Sequence, residues 1–247
     1  MESPSGTQGG WPVSDLSQRT GLLVGEEGIR RLSETSVILA GVGAVGGYAL
    51  EGLVRAGIGH IRVVDGDMFS GSNLNRQILA TVDTVGRPKA EVACERARSI
   101  NPGIDIEPVS ALVDDSTVDG ILSGDFDVLV DAIDTVRCKV SLLRRASETG
   151  MVTLSSMGAA LHLDTQMVRV APLRKTSVCP LAAAVRKGLR DLDTSNITCV
   201  YSVEPPIAVP TDRDEHGKSV LGSLPTVPAV FGMTLANLVI QHVLGRQ

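Results

Sequence analysis

The sequence predicts an α/β fold of the Rossmann-like, doubly wound type, with a mostly parallel sheet and an extended C-terminal αβ region. A β-branched apolar run over residues 37–40 leads directly into a glycine-rich turn and then a segment of helical character. Short apolar strands then alternate with helical segments to about residue 158, which is typical of parallel sheets with right-handed crossovers. With 247 residues and 43% hydrophobic content, the chain is long enough for one domain with a large core.

Apolar periodicity and turn residues place the elements in order. Residues 1–16, rich in Gly, Ser and Pro, are expected to form a flexible N-terminal tail, and a helix over 26–33 precedes the first strand. We expect strands near 36–41, 60–65, 105–109, 126–131 and 151–155. Helices are expected near 45–56, 88–100, 115–122 and 137–149.

The pattern changes beyond Gly158. Strands over 167–170 and 197–202 flank a helix over 181–189. The proline-rich stretches 204–210 and 225–228 are expected to be loops, because proline continues neither a helix nor a sheet ladder. The stretch 227–244 is apolar but contains Asn237, Gln241 and His242, which favours a terminal helix packed on the domain or on a partner subunit.

Composition limits the location and the partners. The N-terminus lacks the basic-then-apolar pattern of a signal peptide, and four cysteines without obvious pairing suggest a reducing compartment. A cytoplasmic location is therefore expected. The net charge of −5 argues against general nucleic-acid affinity, which depends on neutralising phosphates.

The glycine turn is the most specific signal. Gly41, Gly43 and Gly46 have the G-x-G-x-x-G spacing, in which the first glycine permits a tight turn and the second lets the backbone approach a phosphate. The third lets the helix pack on the strand, and the helix N-terminus attracts an anion. Asp65 ends the second predicted strand, where a carboxylate can bind ribose hydroxyls. The alternative is a glycine turn that is only structural.

Three charged residues after the turn favour a triphosphate. Arg76 and Lys89 are candidate cations for the outer phosphates, which a dehydrogenase would not need. Asp134 follows a buried strand at the end where open sheets bind ligands, and is a candidate for binding a metal ion. In the alternative interpretation, the two cations are solvated surface charges and Asp134 is the N-cap of the following helix.

Five spaced motifs resemble the ubiquitin-activating-like (ThiF/MoeB-type) ATP-dependent adenylyltransferases. They are Gly41-x-Gly43-x-x-Gly46, Asp65-x-Asp67, Ser72-Asn-Leu-Asn-Arg76-Gln77, Gly86-x-x-Lys89 and Asp131-Ala-Ile-Asp134. The resemblance covers about residues 18–170. It implies an ATP-binding adenylation domain over 17–247, with residues 160–247 as a substrate-binding or dimer region.

The resemblance also implies the site residues. The nucleotide is expected to bind at Gly41, Gly43, Ala44, Gly46, Asp65, Asp67, Ser72, Asn73, Asn75, Arg76, Lys89, Asp134 and Thr135. Asp134 is expected to hold Mg²⁺. Arg19 matches an arginine that reaches the triphosphate from the partner subunit of a homodimer, so the expected catalytic residues are Arg19, Arg76, Lys89 and Asp134.

The C-terminal third resembles one branch of the family, the tRNA threonylcarbamoyladenosine dehydratases. The similar segments are Cys179–Arg190, Thr198–Pro205 and Gly222–Gly232, together with the pattern Asp134-Thr-Val-Arg137-Cys-Lys139. The resemblance implies that tRNA bearing threonylcarbamoyl-adenosine is the substrate, and sulfur-transfer proteins are further candidate partners. Six basic residues over 169–190, without an acidic one, could form a local tRNA surface or a solvated helix face.

Two other classes stay open. An activator of a sulfur-carrier or ubiquitin-like protein would pass the carboxyl to Cys199 or Cys179, but such enzymes usually carry two Cys-x-x-Cys zinc pairs. Cys94, Cys138, Cys179 and Cys199 lack that spacing, so no zinc is expected. Cys199 is more simply a small buried hydrophobe. An NAD-dependent oxidoreductase would not require Arg76 and Lys89, and no NAD is expected.

Overall fold

A seven-stranded sheet forms the centre of the computed structural model, which describes residues 13–208, 213 and 220–246. In chain order the strands are β1 (Ser36–Ala40), β2 (His60–Val64), β3 (Asp105–Val109), β4 (Val128–Asp131), β5 (Val152–Ser156), β6 (Val168–Pro172) and β7 (Ile197–Ser202). Their order in the sheet is β3-β2-β1-β4-β5-β7-β6. Only the β6–β7 pair is antiparallel among the strands described. The predicted fold class is confirmed.

Helices cover both faces of the sheet. They are α1 (Val13–Glu34), α2 (Gly46–Ala56), α3 (Lys89–Ile100), α4 (Val118–Ile121), α5 (Val136–Thr149), α6 (Pro180–Gly188) and α7 (Thr226–Val243). Alternate residues of β1 show why its sequence is apolar throughout. Val37 and Leu39 pack with α2, α3 and α7, whereas Ile38 and Ala40 pack with α4 and α5. A strand buried on both faces needs an unbroken apolar run.

The first helix differs from the prediction. It begins at Val13 rather than at residue 26, and its two halves meet at Gly25, whose φ of 74° and ψ of 176° are not helical. Glycine adopts this conformation without steric penalty, so the helical segments on either side are joined at a kink. Residues 13–16, predicted as the end of the tail, belong to α1, and the rest of that predicted tail lies outside the described residues.

The second proline stretch was wrongly predicted as a loop. Pro225 is the N-cap of α7 and Pro228 lies in its first turn, where backbone N–H groups have no intrahelical acceptor. By length and composition α7 could cross a membrane, with a mean hydropathy of 1.3. Its packing on α2 accounts for that composition: a Cβ at Gly52 would lie 2.6 Å from the Ala236 Cβ, and one at Gly232 would lie 2.3 Å from the Val45 carbonyl oxygen.

A buried ion pair joins the middle of the sheet to α5. Lys139 Nζ lies 2.5 Å from Asp131 Oδ2 and 3.2 Å from Ser155 Oγ, and Ser155 Oγ donates to the same carboxylate oxygen at 2.6 Å. All three residues are fully buried. Asp131 Oδ1 also accepts the Ile133 amide at 3.1 Å, which holds the turn after β4. The pair therefore fixes the β4 end on which Asp134 is carried.

We predict that Lys139→Met destabilises the protein by about 3–5 kcal/mol, because it leaves the Asp131 carboxylate buried without its counter-ion. The free energy of unfolding would be measured by denaturant titration. Lys187→Met removes an exposed lysine from α6 and should change stability by less than about 0.5 kcal/mol. Equal effects of the two substitutions would contradict a structural role for the buried pair.

Candidate nucleotide-binding site

The glycine turn lies at the switch point of the sheet, where β2 and β4 flank β1. Gly41 has φ +87° and donates its amide to the Val64 carbonyl at 2.7 Å. A Cβ at Gly46 would lie only 1.8 Å from the Gly41 carbonyl oxygen, so α2 can start here only with glycine. A Cβ at Gly43 would meet nothing within 4 Å among the described atoms except the Gln77 amide group, at 3.7 Å. The second glycine thus faces open space, as a phosphate loop requires.

The helix that follows presents its N-terminus to the same space. Val45, which cannot cap through its side chain, occupies the N-cap of α2, and Gly46, Gly47 and Tyr48 form the first turn. The positive end of the helix dipole is therefore not offset by a local carboxylate in this turn. Together with Ala44 in the turn, these backbone groups suit an anion such as a phosphate.

Asp65 is tied to the glycine turn by backbone hydrogen bonds. Its Oδ2 accepts the Val42 amide at 2.8 Å, and its Oδ1 accepts the Asp67 amide at 2.9 Å. Burial raises the pKa of Asp65, against the opposing attraction of the Lys89 ammonium. A carboxylate has about four lone-pair positions, so both oxygens keep capacity for hydroxyl donors. The ribose contact of Asp65 stays a prediction.

Lys89 is not the solvated surface charge of the alternative interpretation. Its side chain is 8% exposed and its Nζ lies 2.9 Å from Asp67 Oδ2, whose side chain is 62% exposed. Lys89 begins α3, and a bridge between Met68 and Pro88 holds that start beside the chain leaving β2. The Lys89 ammonium is thus held near the carboxylates of Asp65 and Asp67. Because Asp67 is exposed, a bound phosphate could replace it as the partner of Lys89.

The segment 70–77 lies against the glycine turn. Asn73 is buried, and its Oδ1 accepts the Ser70 amide at 3.1 Å. Arg76 is half-buried and donates from Nη1 to the Ser72 carbonyl at 2.8 Å and to Asn75 Oδ1 at 3.0 Å. These two hydrogen bonds hold the Arg76 guanidinium in one orientation. Gln77 ends the same motif, and no role was predicted for it.

Gln77 is the site residue that the structure adds. Its side chain is buried beside Gly43, and its Oε1 has no hydrogen-bond partner among the described residues. Buried polar atoms are almost always paired, so an orphan next to an open phosphate loop is consistent with a bound group. The sequence signal was its place directly after Arg76.

Asp134 follows β4 and is exposed, at the same edge of the sheet. It is not the N-cap of α5, as the alternative interpretation had it, because Thr135 occupies that position. Thr135 Oγ1 donates to Asp134 Oδ1 at 3.0 Å. The chain reaches Asp134 past the glycine turn, since a Cβ at Gly41 would lie 2.9 Å from the Ala132 carbonyl oxygen. Asp134 therefore lies at the same edge of the sheet as the glycine turn.

Arg19 belongs to a different element, the helix α1. It is exposed on the first half of α1, before the Gly25 kink, with the exposed Leu22 and Leu23. Among the described residues, no group of three or more His, Cys, Asp or Glu side chains is placed to hold a metal ion. A magnesium ion held by one carboxylate and by substrate phosphates does not require such a group.

Cys199, the thiol considered for a thioester, is not exposed. It is fully buried on β7, and burial raises its pKa to about 12.

The six basic residues over 169–190, here called the basic cluster, differ in what they contact. Arg174 donates to the Leu189 carbonyl and Arg186 donates to the Thr176 carbonyl, so these two side chains stabilise the local fold. Lys175, Lys187 and Arg190 are exposed. A surface role is thus confined to part of the cluster.

Known proteins share both the sequence and the architecture of this chain. The model of the ThiF family matches residues 17–247. A tRNA threonylcarbamoyladenosine dehydratase of Bacillus subtilis (strain 168) is 32% identical over 237 residues, which are 92% of this chain and 93% of the relative. Crystal structures of the E. coli tRNA N6-threonylcarbamoyladenosine dehydratase with AMP and with ATP have TM-scores of 0.87 and 0.86, at 30% identity, covering 94% of this chain and 95% of each.

The family predicted from the five motifs is therefore confirmed, and the match extends through the C-terminal third that distinguishes the branch. The likeness of fold is not confined to the Rossmann-like half, because 94% of the chain superposes. The protein belongs to the ThiF family, and it is similar over nearly its whole length to tRNA threonylcarbamoyladenosine dehydratases.

Proposed function

We propose that this protein uses ATP to activate the carboxylate of threonylcarbamoyl-adenosine in tRNA and then closes it into the cyclic, dehydrated form. The observation that carries this proposal is the full-length similarity to tRNA threonylcarbamoyladenosine dehydratases. The site supports it, because a glycine turn, a helix N-terminus and the cations Lys89 and Arg76 surround one edge of the sheet. These groups suit a triphosphate better than a dinucleotide.

The reaction proceeds in two balanced steps. A carboxylate oxygen of the substrate attacks the α-phosphorus of ATP, the bond to the bridging oxygen breaks, and pyrophosphate leaves with the electron pair. A nucleophilic group within the same modified nucleoside then attacks the activated acyl carbon, the bond from that carbon to the AMP oxygen breaks, AMP leaves with the electron pair, and the proton of the nucleophile passes to solvent. The nucleoside loses the elements of water and ATP is converted to AMP and pyrophosphate. Ring closure within one side chain needs no enzyme thiol, because proximity supplies the rate.

Each residue of the candidate site has a role in this scheme. Asp65 would bind the ribose hydroxyls, and the backbone of Gly43 and Ala44 would contact phosphates. Arg76 and Lys89 would neutralise negative charge on the transferring and leaving phosphates. Asp134 would hold Mg²⁺, which supplies Lewis-acid stabilisation of phosphate charge when bound.

Pyrophosphate release tests the function. With ATP, we expect tRNA bearing threonylcarbamoyl-adenosine to drive release, and mass spectrometry to show the nucleoside losing water. Asp134→Ala should lower the rate about 100-fold or more, because charge stabilisation by the metal is worth several kcal/mol. The control Asp125→Ala removes an exposed carboxylate before β4, at the opposite edge of the sheet, and should act like wild type.

The same assay separates the rival classes. Release driven by a carrier protein with a Gly-Gly tail, and not by the modified tRNA, would support the sulfur-carrier alternative. Failure of both substrates, together with tighter binding of NAD⁺ than of ATP, would support an oxidoreductase. Full activity of the Asp134→Ala variant would remove the proposed metal role.

Cys199→Ala should leave turnover within about tenfold of wild type, or about 1.4 kcal/mol of barrier. A thiol with its pKa raised to about 12 by burial has almost no thiolate at neutral pH, and thiolate is the nucleophile. Steady-state kinetics with modified tRNA would measure the effect, and a thermal melt would verify the fold. Near-complete loss in a folded variant would instead indicate a thioester intermediate.

We further propose that the protein is a cytoplasmic homodimer in which Arg19 completes the partner's site. Leu22 and Leu23, on the same segment of α1, are 82% and 77% exposed. Exposed leucines beside an arginine are consistent with a surface that another subunit covers. Symmetric pairs are the commonest assemblies.

The exposed Lys175, Lys187 and Arg190 are proposed to contact tRNA phosphates.

Mixed dimers test whether Arg19 acts across the interface. Arg19→Ala and Asp134→Ala are each expected to be inactive. After equal mixing and subunit exchange, about half of the dimers contain one intact site in two, so about a quarter of wild-type activity should return. Sedimentation would verify the dimer. An active monomer, or mixtures that stay inactive although subunit exchange is demonstrated, would contradict this arrangement.

A further inference from the structure

The Arg76 guanidinium is held through one of its three nitrogens. Its Nη1 donates to the Ser72 carbonyl at 2.8 Å and to Asn75 Oδ1 at 3.0 Å, which uses both hydrogens on that nitrogen. Its Nε and Nη2 donate to no acceptor among the described residues. Because a guanidinium is planar and rigid, fixing Nη1 also fixes the direction of the other N–H groups. The Nε–Nη2 edge is thus a fork of the kind that binds two oxygens of one phosphate.

The backbone that carries Arg76 is fixed by local structure. A 3-10 turn over Gly71–Asn73 is closed by a capping box, and the Asn73 carbonyl accepts the Arg76 amide at 3.1 Å and the Gln77 amide at 2.9 Å. The conformational freedom that Arg76 keeps is therefore in its long side chain, which has many rotamers. The acceptors that hold the side chain thus decide where the phosphate-binding fork points.

One of those two acceptors is tied to a distant part of the chain. Asn75 Nδ2 donates to the Ser223 carbonyl at 2.9 Å, across 148 residues of sequence. This bond selects one orientation of the Asn75 amide, because a carbonyl oxygen can face only the NH2 group. The Asn75 oxygen is thereby directed at Arg76 Nη1, whereas the flipped amide would place one donor against another. The bond to Ser223 therefore determines that Asn75 accepts from Arg76.

The Ser223 carbonyl is a well-fixed anchor for this amide. Ser223 lies shortly before α7, which begins at Thr226 and packs on α2 where the glycine turn ends. The packing is close, since a Cβ at Gly232 would lie 2.3 Å from the carbonyl oxygen of Val45, the N-cap of α2. The start of α7 and the phosphate-binding turn are thus held against each other, and Asn75 links the segment 70–77 to both.

These hydrogen bonds contribute little to overall stability. The Asn75 side chain is exposed, and a hydrogen bond that replaces one to water adds only modestly to the free energy of unfolding. Substitutions at such surface positions usually change stability by less than about 0.5 kcal/mol. A role of Asn75 in catalysis can therefore be measured separately from a role in folding.

Resting on the proposed function, we infer that Asn75 is a positioning residue for the adenylation step. Anchored on the Ser223 carbonyl, it orients the Arg76 guanidinium so that the Nε–Nη2 edge meets the phosphate oxygens on which negative charge develops as pyrophosphate leaves. Donors that are already oriented stabilise such charge without reorganising during the reaction. In this role Asn75 acts through Arg76 and does not itself contact the nucleotide.

Asn75→Ala tests the positioning role through separate measurements of kcat, KM and ATP affinity. At saturating ATP and modified tRNA, the kcat for pyrophosphate release should fall about tenfold, because a misdirected donor stabilises the transition state poorly. The Kd for ATP and the KM for tRNA should each change less than about threefold, since the Arg76 charge remains in place. The melting temperature should shift by less than about 2 °C.

Two further variants exclude simpler explanations. Asn75→Leu has a side chain of similar size without polar atoms, and it should match Asn75→Ala if the hydrogen bonds, and not the lost volume, are responsible. Asn237→Ala is the matched control, because Asn237 is an exposed asparagine of α7 whose side chain makes no hydrogen bond within the described part of the chain. It should behave like wild type in all four measurements.

A double-mutant cycle tests whether Asn75 acts through Arg76. Arg76→Lys keeps a cation but lacks the planar fork, and it should lower the kcat about 100-fold. In that background Asn75→Ala should change the kcat by less than about twofold, because no guanidinium is left to orient. Effects that multiply instead would show that the two residues act independently, which overturns the positioning role.

The NMR signal of the Arg76 Nε–H group provides a readout that does not depend on turnover. In wild type, ATP should shift this signal and slow its exchange with water, and in Asn75→Ala both effects should be much weaker. Equal effects of ATP in the two proteins would overturn the proposal. A fall in melting temperature of more than about 5 °C in Asn75→Ala would also overturn it, because the role would then be structural.

These outcomes distinguish the positioning role from the proposed function. If wild type converts the modified tRNA while Asn75→Ala and Asn75→Leu keep the wild-type kcat, the positioning role is wrong and the function stands. If wild type does not convert the tRNA, but ATP orders the Arg76 signal only when Asn75 is present, the function fails and the positioning of Arg76 at the ATP site stands.

Discussion

The buried pair of Lys139 and Asp131 is the interaction on which the site depends. It links β4 to α5, and through Ser155 it also includes β5. A charge buried at 0% exposure is tolerated only with a well-placed partner, so these three elements have one compatible arrangement. The same carboxylate holds the Ile133 amide and thereby the turn that presents Asp134. A core contact thus sets the position of the exposed Asp134, for which we propose a role in metal binding.

One edge of the sheet carries the candidate nucleotide site. It consists of the glycine turn, Asp65, Lys89 and the segment 70–77, whose members are held by hydrogen bonds to the backbone or, for Lys89, by the ion pair with the exposed carboxylate of Asp67. Asn75 connects this site to the C-terminal third, because its side-chain amide joins the Arg76 guanidinium to the Ser223 carbonyl.

Burial explains why a chain with several thiols need not use them. Cys199 lies at 0% exposure, opposite Ser155 in the β5–β7 register, and the medium around it disfavours thiolate. Cys94 is likewise buried, and burial raises its pKa to about 11. Ring closure within the substrate requires no thiolate, whereas transfer of the carboxyl to Cys199 would require one. The environment of Cys199 is therefore compatible with the dehydratase assignment.

The fold class, the glycine turn and the family were predictable from the amino-acid sequence, because they depend on local patterns: β-branched runs, glycine spacing and short motifs. The position of Asp134 at a strand end was predictable for the same reason. Three features emerge only from the folded chain: Lys89 is buried against Asp67, Gln77 and His162 have polar atoms without a hydrogen-bond partner among the described residues, and Pro228 lies in a helix. Burial and hydrogen-bond pairing depend on residues far apart in the chain, such as Asn75 and Ser223, and no local pattern contains that information.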